Sequence, residues 1–156
     1  MAPGPVSAGV LAWRARPEGP QFLLVHPGGP YWRGKDEAAW SIPKGLVEPD
    51  EADWDAARRE FLEELGQPID GEPVELPPCR LPSGKIVRAW LVEADLDVTG
   101  LKSNAFEMEW PPRSGRWAAF PEVDKAAWFA AGEARARLHK GQRPLLEAAL
   151  AKLAGR

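Results

Sequence analysis

Three glutamates, Glu60, Glu63 and Glu64, stand close together in the run GLVEPDEADWDAARREFLEELG, residues 45–66. On a helix turning about 100° per residue they share one arc, beside an apolar stripe of Trp54, Ala57, Phe61 and Leu65. Like charges at these spacings repel by a few tenths of a kcal/mol per pair. They also crowd the C-terminal end of the helix, where the macrodipole disfavours negative charge. A bound divalent cation reverses the sign of that argument. Mg²⁺ takes oxygen ligands and accepts carboxylates together with water and substrate phosphate. Taken alone, EFLEEL reads as a solvated acidic face.

The surrounding residues change that reading. Arg59 precedes Glu60, Glu51 stands near the helix start, Gly45 lies six residues before Glu51, and Gly66 follows the last carboxylate. In this register the segment resembles the Nudix hydrolase signature. Seven such positions, at roughly 7% frequency each, coincide by chance in this length with odds on the order of one in a million. Gln67 departs from the pattern, which usually has an apolar residue there. The resemblance continues outside the box. WSIPKG at 40–45 is similar to the lead-in of family members acting on dinucleoside polyphosphates. GKIVRAWLVEAD at 84–95 is similar to the strand beneath their substrate, and 103–129 to a bacterial subgroup of the family. The likeness spans roughly residues 6–140.

The resemblance implies an α+β Nudix fold, a mixed β-sheet sandwiched between α-helices, as a single domain over 1–156. It implies a Mg²⁺-dependent pyrophosphohydrolase, with Mn²⁺ as a substitute, in which water attacks phosphorus in the diphosphate linkage of a nucleoside di- or polyphosphate derivative. By motif match Glu60 and Glu64 are expected metal ligands, and Gly45 offers its carbonyl. Glu63 is a third ligand or the general base. Glu107 and Glu109 are the rival candidates for the base, in the downstream loop where related enzymes place an extra carboxylate. Arg59 counts among the catalytic group, pairing with Glu51 to hold the helix in register. Lys44 is expected to meet phosphate, with Lys85 and Arg113 as weaker candidates. Trp32, Trp90 and Trp110 are candidates for stacking on a base. Tyr31 lies before the box rather than after it. His26 reads as a hydrogen-bonded structural histidine and Cys79 as a packed thiol. The alternative is a non-catalytic Nudix-fold nucleotide-binding module. Such modules usually lose box carboxylates, and all of them are present here. A structural protein with a merely acidic helix would leave Gly45, Arg59 and Gly66 in register by accident.

The elements that must position these residues follow from turn chemistry and periodicity. Strands are expected over 6–13, 21–26, 39–42, 76–81, 85–94 and 116–120. The helix over 53–65 is expected to be capped by Asp50 or Asp53 and closed by Gly66. Residues 95–113 read mostly as loop. Pro121 is expected to open a helix running to Gly141, and a last helix covers 144–153.

Composition narrows the class further. The chain has 156 residues, 44% hydrophobic and 28% charged, which suits one globular domain. Its net charge of -3 argues against a nucleic-acid coat. One cysteine and two histidines exclude a disulfide framework and a Cys- or His-rich metal site. No apolar run is long enough to span a membrane. The N-terminal residues lack a basic leader, so a cytoplasmic protein is expected. The partner expected is a small nucleotide or dinucleotide; the oligomeric state is left open.

Overall fold

The computed structural model describes residues 5–155. The outermost residues of the expected 1–156 domain, and the start of the leader reading, lie outside them. The element order is β1 (Val6–Arg16), β2 (Gly19–Pro27), β3 (Lys44–Leu46), α1 (Asp53–Leu65), β4 (Val74–Glu75), β5 (Cys79–Arg80), β6 (Ile86–Glu93), β7 (Ala105–Glu109), β8 (Trp117–Pro121), β9 (Val123–Ala130), α2 (Ala131–Arg137) and α3 (Arg143–Ala154). The sheet runs β4-β6-β1-β2-β9, with β3 added to β1 and β5 to β6. β1 and β6 are parallel, and every other pair in this sheet is antiparallel. β7 and β8 form a separate hairpin.

Both faces of the sheet are covered, which gives the mixed sheet between helices that the sequence led us to expect. β1 and β2 are therefore apolar on both sides and read as nearly continuous hydrophobic runs. On one face Ala8, Val10, Leu23 and Val25 meet the α1 stripe of Ala57, Phe61 and Leu65. On the other, Leu11, Phe22 and Leu24 meet Ala134 of α2 and Leu145, Leu146 and Ala149 of α3. Among the described residues, no helix is long and apolar enough to cross a membrane.

Several elements differ from expectation. Residues 123–130 form strand β9 at the sheet edge, and the helix expected from Pro121 is confined to Ala131–Arg137. An alanine-rich stretch with apolar residues on consecutive positions carries no period-2 signal. Here Ala126 and Trp128 pack on one core and Ala127 and Phe129 on the other, so two-sided burial removed the alternation. The 95–113 loop contains strand β7, whose partner β8 supplies the pairing. Residues 39–42 make only isolated bridges, Val25 to Ser41 and Trp40 to Leu138, and the true strand is β3. Of the expected 76–81 strand only Cys79–Arg80 pairs, as β5, and β4 lies just before it. The N-cap of α1 is Ala52, which makes no side-chain cap; Asp53 instead pairs with Arg88 at 2.8 Å. Gly66 closes α1 as expected, with φ 74 and its N–H on the Leu62 carbonyl.

Phe61 is 0% exposed and is the largest fully buried side chain of α1. Phe61→Ala should cost about 3–5 kcal/mol, read from the denaturant midpoint.

Candidate metal centre and substrate cleft

α1 carries Glu60 and Glu64 one turn apart, and the sheet sets a third carboxylate before them. Glu60, Glu64 and Glu122 place carboxylate oxygens within 4.8 Å of one another. Glu122 sits between β8 and β9. Its N–H donates to the Asn104 carbonyl at 2.8 Å, and its carbonyl accepts the Gly28 N–H at 2.9 Å. Asn104 in turn donates to the Glu63 carbonyl at 2.9 Å, which ties the hairpin root to α1.

These carboxylates are poorly solvated. Glu64 is 7% exposed, and burial, then the charges of Glu60 and Glu122, push its carboxyl up to about 8. The Lys44 charge and a hydrogen bond from the Lys44 backbone oppose that shift. Burial raises Glu60, which the Arg59 hydrogen bond partly offsets. Burial, then Glu63, raises Glu122. Three crowded carboxylate donors fit a hard divalent cation.

Arg59 organises the cluster. Its Nε and one terminal nitrogen grip Glu51 at 2.9 and 3.0 Å. The other terminal nitrogen donates to Glu60 at 2.9 Å and to Glu63 at 3.3 Å. The terminal nitrogen that holds Glu51 also donates to the Leu46 carbonyl at 3.0 Å. With its donors so engaged, Arg59 is a positioning residue rather than a group that touches substrate. Gly45 lies opposite Ala8 in the β1–β3 register. A Cβ there would collide with the Glu60 carboxylate, which explains the glycine.

Lys44 is half-buried beside Glu64. Burial, then the charge of Lys85, lowers its pKa, so the two lysines lie close enough to repel. A cleft of about 280 Å³ opens from this point. Its walls include Trp32, Trp40, Lys44, Glu64, Glu122 and His139.

The other candidates lie elsewhere. Glu109 accepts the backbone N–H groups of Arg113 and Gly115 at 2.8 and 3.2 Å, so its carboxylate closes the hairpin turn. Glu107 is exposed on β7, and Arg113 is exposed in the turn with φ 62. None of these three lines the cleft. Trp90 is 8% exposed and packs on Trp54 with centroids 5.5 Å apart, leaving no open ring face for a base. Trp110 meets Tyr31 edge-on at 5.2 Å. Trp32 does line the cleft. Glu63, 33% exposed, stands beside the trio and faces Arg59. Sequence reasoning missed Glu122. It falls inside the helix expected from Pro121, and only the strand pairing brings it to α1.

The chain matches the family model for the NUDIX domain over residues 5–149. No curated protein matches it in sequence. A C. elegans Ap4A hydrolase in a binary complex superposes with a TM-score of 0.67 at 23% identity, over 96% of this chain and 99% of that one. The NUDIX domain of Shewanella oneidensis NrtR, complexed with ADP ribose, gives 0.68 at 13% identity, over 98% and 90%. The solution structure of the E. coli ORF135 protein gives 0.59 at 25% identity, over 98% and 94%.

Two expectations follow from this geometry. Gly45→Ala should displace the Glu60 carboxylate and weaken Mn²⁺ binding about 10- to 100-fold while the fold survives, as read by calorimetry and circular dichroism. The second concerns metal-free stability. Glu64 has its folded pKa raised from 4.5 to about 8. Below that window it is protonated in both states; within it, only the unfolded chain releases the proton. Stability therefore falls as pH rises from about 5 to about 8, by on the order of a few kcal/mol. Denaturant midpoints with chelator present should show this slope in the parent and a much shallower one in Glu64→Gln.

Proposed function

This chain belongs to the NUDIX family and is a pyrophosphohydrolase of it; we propose that it needs Mg²⁺ and hydrolyses a diphosphate linkage in a small nucleotide or dinucleotide. The observation that carries the reading is the close-set trio of Glu60, Glu64 and Glu122, with Glu64 buried and Lys44 beside it. The intact box carboxylates favour an enzyme over a binding module.

In this reading Glu60, Glu64 and Glu122 hold the cation. When bound, it neutralises phosphate charge and lowers the pKa of a coordinated water. Lys44 and Lys85 receive phosphate oxygens as point charges. Trp32 offers a surface for the base. Glu63 stands next to the trio without belonging to it, so it serves as the base that takes the proton from the attacking water. Arg59 and Gly45 keep Glu60 in place. One similar structure is that of an Ap4A hydrolase and another is complexed with ADP ribose, which supports a nucleotide substrate. A small nucleotide substrate suits a cytoplasmic enzyme without a nucleic-acid partner.

The test is a panel of dinucleoside polyphosphates, ADP-ribose and nucleoside triphosphates with Mg²⁺, the products identified by mass. Turnover should vanish on chelation and return with Mg²⁺ or Mn²⁺. Glu60→Gln, Glu64→Gln and Glu122→Gln should each lose several orders of magnitude in turnover in a folded protein. Glu63→Gln should lose rate but keep Mn²⁺ affinity. Near-normal turnover in all three ligand variants, or activity that survives chelation, overturns the mechanism. Binding without turnover across the panel would assign a binding module instead.

A further inference from the structure

Glu122 meets the α1 carboxylates from a place in the chain where ladder bonding fails. β8 ends at Pro121, and β9 pairs with β2 through a shift of register between His26 and Pro27. Neither proline has an N–H to donate. Val123, the next residue, is 3% exposed, and a buried backbone N–H needs a partner. The Ser103 hydroxyl supplies it. Its oxygen accepts the Val123 N–H at 3.0 Å, and its proton goes to the Asn104 carbonyl at 2.9 Å. A hydroxyl has one proton to give, so these two bonds fix its orientation. The Asn104 carbonyl also takes the Glu122 N–H at 2.8 Å. Ser103 thus bonds both the residue after Glu122 and the group that holds Glu122 itself.

The segment 101–104, which carries this hydroxyl, is fixed to α1. Leu101 packs against the core that contains Phe61 and Leu65. Lys102 lies against Gly66, where a Cβ would come within 2.7 Å of the Lys102 carbonyl oxygen. The Asn104 N–H donates to the Glu63 carbonyl at 2.9 Å. From the other side the Gly28 N–H holds the Glu122 carbonyl at 2.9 Å, and a Cβ on Gly28 would collide with the Pro121 carbonyl. The Glu122 backbone is therefore gripped from α1 through 101–104 and from β2 through Gly28.

We propose that Ser103 is a positioning residue which, with Gly28, keeps Glu122 in register with Glu60 and Glu64 and so sets how tightly the three carboxylates hold a divalent cation. Its effect on the cation rests on the metal-dependent reading above; its hold on the Glu122 backbone does not. Mg²⁺ demands near-ideal octahedral geometry at short ligand distances, so a small displacement of one carboxylate is felt as lost affinity. Without the hydroxyl the Val123 N–H is stranded, and the junction shifts to find another acceptor, carrying Glu122 with it. Threonine keeps an oxygen on the same carbon and so keeps the bond.

Two measurements on the full chain decide it. Amide hydrogen exchange of the metal-free protein, read residue by residue by NMR, should quicken about tenfold or more in Ser103→Ala at Gly28 and Glu122 as well as at Val123. Ser103→Thr should match the parent. Calorimetric titration with Mn²⁺ should show binding about 10- to 100-fold weaker in Ser103→Ala and Gly28→Ala, and close to the parent's in Ser103→Thr. Leu146→Val, in the core on the opposite face of the sheet, should lower the denaturant midpoint and leave Mn²⁺ affinity unchanged. Faster exchange confined to Val123, parent-like Mn²⁺ affinity in Ser103→Ala, or an equal loss in Leu146→Val overturns the proposal. A parent that binds no Mn²⁺ overturns the metal reading, while exchange at Glu122 still decides whether Ser103 holds it. If Ser103→Ala fails to fold, Ser103→Cys places a weaker acceptor at the same point and should show the same losses in smaller measure. Parent-like exchange and affinity in that variant overturn the proposal as well.

Discussion

The site depends on one guanidinium. Arg59 holds Glu51, Glu60, Glu63 and the Leu46 carbonyl at once, and without it the carboxylates of α1 would repel freely at the helix end least suited to them. Its positive charge is shared among several acceptors, so it orders the carboxylates without neutralising them all. Glu64 lies beyond its reach and meets Lys44 instead. Glu60, Glu64 and Glu122 are left crowded together, with Glu64 buried among them. Attraction that positions the carboxylates and the repulsion left among them are parts of the same arrangement.

The sheet makes this arrangement rigid. Covered on both faces, it fixes α1 through Phe61 and Leu65 and brings β3 against β1, so that Gly45 lies under the Glu60 carboxylate. β9 pairs with β2 along its length and delivers Glu122 at its start, while the hairpin root is bonded to Glu63 through Asn104. Carboxylates far apart in the chain therefore meet through backbone hydrogen bonds, which tolerate little displacement. The cleft inherits its walls from the same junction, since segment 28–38 leaves β2 where Gly28 bonds the Glu122 carbonyl.

The box residues were legible in the sequence because their chemistry is local. Gly45, Glu51, Arg59, Glu60, Glu63, Glu64 and Gly66 act within one loop and one helix, so fixed spacing along the chain is fixed geometry in space. The apolar stripe of α1 was legible for the same reason, as was the layered α+β architecture implied by the family resemblance. β9 was not legible, because burial on both faces erased the alternation that marks a strand. The downstream carboxylate was sought at Glu107 and Glu109, whose setting beside a turn gave no sign that Glu109 closes it.

By itself, then, the sequence determined which residues form the carboxylate helix, how its glycine and arginine support it, and that the chemistry is directed at phosphate. The tertiary structure decided that the third carboxylate is Glu122, that Trp32 rather than Trp90 faces the cleft, and that Ser103 bonds the junction of β8 and β9. Those outcomes depend on which strand pairs with which. Pairing is set by long-range register and two-sided burial, and neither leaves a periodic trace in a single chain.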